Sequence, residues 1–79
     1  MTEKTEFTKE EILKLANRIK SLRIQKGYSN YENFAYEHKI PRAQYGRYEK
    51  GEDLRYSSLL KVVQALGISL SEFFSEGFD

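Results

Sequence analysis

The residues of this 79-residue chain that could do chemistry are few, and their types point away from catalysis. It has one histidine, His38, and no cysteine, so neither a thiolate site nor a histidine cluster is available to hold a transition metal. The serines at 29, 57, 58, 69 and 71 fall at turns and helix starts, where capping explains them. Acidic pairs such as Glu10–Glu11 and Glu52–Asp53 are adjacent in sequence and exposed by pattern. No catalytic residue, metal site or cofactor is expected. What remains is cationic. Arg42 and Arg47, in RAQYGRYEK, carry planar guanidinium forks that suit paired acceptors such as guanine O6 and N7.

The charge is unevenly placed. The whole chain carries +1, but residues 1–11 sum to −2, residues 12–66 to +6 and residues 67–79 to −3. A basic middle suits a polyanionic partner, because Lys and Arg contacts to phosphate release counterions. An ordinary solvated surface is the competing reading. No apolar run reaches membrane-spanning length and no charged-then-apolar leader is visible, so a cytoplasmic protein without a membrane partner is expected.

Five short helices must position these groups. A domain of this size without disulfides depends on well-packed elements, with or without a partner subunit. Residues 1–7 read as a flexible tail and residues 8–79 as a single domain. Thr8 with Glu11 forms a capping box, flanked by Phe7 and Ile12 as a hydrophobic staple, and Ile12, Leu15, Ala16, Ile19 and Leu22 continue one apolar stripe. Gly27 stops that helix. Tyr56, Leu59, Leu60, Val63 and Leu66 predict a fourth helix stopped by Gly67, and Ser69 with Glu72 opens a short fifth. No segment alternates with period two over strand length. The fold class is all-α.

Between them, residues 31–51 read as two short helices joined by a very tight turn. Ala35 sits where the helices touch, Ile40 closes the turn, and Tyr45 and Tyr48 point to the core. That is the spacing of a helix-turn-helix, whose second helix, predicted over residues 41–50, is typically offered to a major groove. Pro41 suits a first-turn position there. Most of the tyrosines at 28, 36, 45, 48 and 56 are expected to be core residues with hydroxyls near the surface. A base-stacking surface for single strands is the weaker alternative.

The pieces NRIKSLRIQKGYS (17–29), FA (34–35), RYEKG (47–51) and SLLKVVQALGISLSEFF (58–74), in this order, resemble the phage-repressor and Cro-type, or XRE-type, helix-turn-helix regulators. The resemblance covers roughly residues 12–74. It implies a compact five-helix, lambda-repressor-like domain that binds double-stranded DNA, is usually dimeric and represses or activates transcription. Carried over by position, it implies that Arg42, Ala43, Gln44 and Arg47 meet base edges. Arg42 and Arg47 would share nearly one face; Ala43 would meet a thymine methyl, and Gln44 adenine or phosphate. Tyr31 matches the family's phosphate-binding position, and Asn30, Arg23, Lys50 and Arg55 are further candidates for phosphate contact by their chemistry, with a solvated surface as the alternative. The competing reading leaves the two arginines solvated or paired with Glu49 and Glu37.

Three positions depart from the family pattern. Tyr31 stands where a phosphate-binding glutamine usually opens the second helix, after a loop one residue longer. Lys39 stands where glycine usually supplies a left-handed turn residue, and either costs on the order of 1 kcal/mol of strain or forces a slightly different turn. Gly46 interrupts the third helix, where it costs a similar amount relative to alanine or permits a close approach. Phe73, Phe74 and Phe78 near the acidic C-terminus are expected to form a homodimer interface, with folding back over the first helix as the alternative. A protein-interaction module or antitoxin-like partner that kept the fold is the alternative function, although no long segment for wrapping a toxin is present.

Overall fold

The computed structural model describes residues 2–79, with side chains described from Glu6 onward. Its elements are α1 (Thr2–Gln25), α2 (Tyr31–Glu37), α3 (Arg42–Glu49), α4 (Tyr56–Leu66) and α5 (Leu70–Phe73), with no strand among the described residues.

The pattern of α4 shows how sequence becomes packing. Leu59, Val62, Val63 and Leu66 recur at i, i+3, i+4 and i+7 and are buried. The expected stripe is turned by a fraction of a turn, because Tyr56 and Leu60 lie exposed and Val62 takes the inward place. Gly67 ends the helix at φ +75°, donating its N–H to the Val63 carbonyl. Ser69 caps α5 as expected, its hydroxyl accepting from the Glu72 N–H.

One core joins all five helices. Ile19 and Leu22 of α1, Phe34 and Ala35 of α2, Tyr45 and Tyr48 of α3, the α4 stripe and Phe73 of α5 form a single cluster. Each large side chain removed from water here contributes roughly 1.5–3 kcal/mol, set against the entropy of ordering the chain.

Two features of α1 differ from expectation. The helix starts at Thr2, so the Thr8–Glu11 box lies inside it and residues 2–7 are helical rather than a tail; Met1 lies outside the described residues. No glycine or proline stands among residues 2–25, so nothing in that segment breaks the helix earlier. The second feature is Arg18, which is buried beside α5. Its Nε donates to the Phe73 carbonyl at 2.7 Å and its Nη2 to the Glu72 carbonyl at 2.9 Å, while Nη1 pairs with Glu76 at 3.3 Å. A cation thus bonds the carbonyls that end α5, of which Glu72's also accepts from Ser75, and fastens the C-terminal segment to α1. Lys14 adds a bond to the Phe78 carbonyl at 3.3 Å.

Candidate nucleic-acid interface

The turn between α2 and α3 is set by backbone conformation before any side chain acts. Lys39 has φ +58°, the left-handed conformation that its place demands, and it is the only non-glycine residue with positive φ among the described residues. The Ile40 N–H then donates to the Ala35 carbonyl at 2.9 Å and closes the turn. Ala35 is fully buried, which lets the two helices approach. Pro41 is the N-cap of α3 rather than its first residue, and α3 ends at Glu49.

Helical spacing divides α3 into faces. Tyr45 and Tyr48 enter the core, as their spacing predicts. Ala43, Arg47 and Lys50, at i, i+4 and i+7, are exposed along the outward side. Arg42 and Arg47 stand about 140° apart around the helix, so they do not share one face. Arg42 leans to α2, its Nη1 lying 3.8 Å from Glu32; Arg47 leans to the following loop, its Nε 3.1 Å from Glu52. Both pairs are solvent-exposed and worth at most about 1 kcal/mol, so either arginine is readily given up to a stronger acceptor. Their partners are therefore Glu32 and Glu52, not Glu37 and Glu49. Gln44 is half-buried, and its Nε2 donates to the Tyr48 hydroxyl, which holds the amide in place and occupies one of its donors.

Glu49 is occupied by Arg23. The carboxylate receives Arg23 Nε at 2.9 Å and Nη2 at 2.8 Å, and Nη1 donates to the Tyr28 carbonyl at 2.6 Å. The two side chains are only 4% and 7% exposed. The expected phosphate contact of Arg23 therefore meets a guanidinium whose Nε, Nη1 and Nη2 each already donate inward. The Tyr45 hydroxyl is buried near this pair with no partner in hydrogen-bonding geometry. Burial first, and then the Glu49 carboxylate, push its phenol far above the usual tyrosine range.

At the start of α2, Asn30 is the N-cap, with its Oδ1 accepting from the N–H groups of Glu32 at 2.7 Å and Asn33 at 3.4 Å. The residue expected to donate to phosphate thus spends its oxygen on the helix, leaving only its amide nitrogen to face a ligand. Tyr31 turns over α3, its ring stacked on Tyr45 at 6.2 Å and lying against Gly46.

Comparison with family models gives a match described as Helix-turn-helix over residues 19–73. The chain belongs to the XRE-type helix-turn-helix family. No match is found among curated proteins or among solved structures. As a member of the XRE-type family it is a DNA-binding helix-turn-helix regulator in general terms, and the family is not one of enzymes. Among the described residues no group of His, Cys, Asp and Glu could hold a metal, and no helix is long and apolar enough to cross a membrane.

Within this XRE-type domain other cations stay at the surface. Lys50 at the end of α3 and Arg55 before α4 are exposed, and the first turn of α4 has no side-chain cap. The aromatic expectations hold only in part, since Tyr36 and Tyr56 are 80% and 61% exposed. Phe73 is wholly buried and is therefore a core residue, not an interface residue. Its ring packs edge-on against Phe74 at 4.9 Å, and Phe78 folds back over both, which leaves Ile12 and Leu15 of the α1 stripe only half-buried. The only sequence signal that separates Arg18 and Arg23 from the solvent-facing bases is their position on the α1 helical wheel, beside Ile19 and Leu22.

Proposed function

We propose that this chain is a sequence-specific regulator of transcription that binds double-stranded DNA, repressor-like, with α3 in the major groove. The observation that supports it most is the two-sidedness of α3: Tyr45 and Tyr48 anchor one side in the core, while Ala43, Arg47 and Lys50 are exposed on the other. In this reading Arg42 and Arg47 read guanine through their forks, Ala43 meets a thymine methyl, and Gln44, held by Tyr48, reads adenine or a phosphate. Lys50, Arg55, the Asn30 amide and the Tyr31 hydroxyl grip phosphates. The protein acts in the cytoplasm.

A homodimer completes the proposal. Phe7 and Phe74 are exposed beside Ile12, Leu15 and Phe78, around a groove of about 350 Å³ on the side formed by α1, α4 and α5. A second copy seated there would set two α3 helices about 34 Å apart on a palindromic site. Selection of duplex sequences in vitro tests both parts, because it reports preference and half-site spacing together. Recovery of no preferred sequence, with no salt-sensitive binding to random duplex, would instead favour a protein-interaction module.

A further inference from the structure

Tyr31 and Gly46 are separate departures from the family pattern in sequence and a single feature in space. A Cβ placed on Gly46 would lie 2.9 Å from Tyr31 Cε1, 3.1 Å from Cζ and 3.1 Å from the hydroxyl oxygen. Carbon atoms do not approach so closely, since attraction is optimal near 3.5–4.0 Å. Gly46 is buried although it sits on a short surface helix, and what covers it is this ring. The ring cannot simply be a surface group brushing past: its other contact is Tyr45, stacked at 6.2 Å with 29° between the planes, and Tyr45 is fully buried.

We infer that Tyr31 is a positioning residue for α3 and that Gly46 is the notch that receives it. Tyr31 opens α2, whereas Gly46 lies in the middle of α3, one turn beyond Arg42. The ring therefore fixes how far α3 stands from the start of α2, and with it the direction in which Arg42 and Arg47 leave the helix. The helix-weakening effect of a glycine inside α3 is the consequence of admitting that ring. The DNA-directed part of this inference rests on the reading of α3 given above; the interlocking of the two residues does not.

A double-mutant cycle tests it with Gly46→Ala, Tyr31→Ala, the double variant and Tyr31→Phe, each measured by thermal unfolding and by binding to a panel of single-base variants of a selected duplex. Gly46→Ala should raise the unfolding midpoint in the Tyr31→Ala background, where helix propensity acts alone, and fail to raise it in the wild-type background. On DNA, Gly46→Ala and Tyr31→Ala should each lose about tenfold of discrimination between the best duplex and its variants, whereas Tyr31→Phe, which gives up only the hydroxyl's phosphate contact, should weaken binding to all duplexes alike and keep the discrimination between them. Equal effects of Gly46→Ala in both backgrounds would overturn the interlock. A Tyr31→Phe protein with the Tyr31→Ala profile would overturn the role of the ring. If the wild-type protein binds no duplex, the positioning role falls with the DNA reading, while the stability cycle still decides the interlock.

Discussion

Arg23 in the last turn of α1 and Glu49 at the end of α3 form a buried ion pair with two parallel hydrogen bonds, at 2.9 and 2.8 Å. The third guanidinium bond, to the Tyr28 carbonyl, extends the link to the loop before α2. The far end of α3 is thereby tied to the longest helix through a charge pair rather than through apolar contact alone.

Removing one partner of such a pair leaves the other charge buried and uncompensated. Arg23→Met or Glu49→Gln should cost about 3–5 kcal/mol in urea unfolding, and a double apolar replacement, Arg23→Met with Glu49→Leu, should recover most of that loss. A variant at Arg23 that kept its stability but lost DNA affinity would restore Arg23 as a phosphate contact.

Tyr45 gives the protein an alkaline limit. Its pKa is raised in the folded state by burial and by Glu49, so the folded protein keeps a proton that the unfolded chain releases above pH of about 10. Its contribution to stability is complete below that value and declines as pH rises beyond it. Tyr45→Phe removes the titrating hydroxyl and should flatten the loss of stability as pH rises beyond about 10. Urea titrations at a series of pH values measure the effect.

Arg42 has only an exposed, long ion pair to lose. Arg42→Ala should leave the unfolding midpoint within experimental error and weaken binding to a selected duplex by about 1–3 kcal/mol, with relaxed preference at one base pair. Equal binding by wild type and variant would remove Arg42 from the reading face.

Lys50 and Arg55 should behave differently from Arg42. Replacing either by alanine should weaken binding to all duplexes alike and reduce the slope of log affinity against log salt by about 1. Fluorescence anisotropy at several salt concentrations separates that uniform loss from a change in preference.

Lys39 holds a left-handed backbone that lysine disfavours. Lys39→Gly should stabilise the domain by up to about 1 kcal/mol, the relief of strain being offset in part by the greater freedom of glycine when unfolded. Calorimetry would detect it, and a fall in stability would mean that the Lys39 side chain contributes more than its backbone costs.

Local chemistry was legible in the chain alone. The spacing of Ala35, Ile40, Tyr45 and Tyr48 named a helix-turn-helix because short-range periodicity decides which side of a short helix is apolar. Gly67 and Ser69 marked a helix stop and start because capping is satisfied within a few residues. Lys39 could be expected in a left-handed turn only through the resemblance, which puts glycine at that place.

Long-range pairing was not legible. Charge counting placed Arg18 and Arg23 with the other bases, yet the fold spends Arg18 on the carbonyls of α5, 54 and 55 residues away, and Arg23 on Glu49, 26 residues away. Neither partner is visible until the helices are packed, since a charge becomes internal only when a distant element covers it. Phe73 and Phe74 are adjacent and chemically identical, but helix rotation buries one and leaves the other exposed. The chain determined by itself which residues make the unit and which side of α3 is inward. Only the tertiary structure decided which cations stay free to meet a polyanion, and that Tyr31 and Gly46 touch, because both depend on the distance between helices that no sequence periodicity encodes.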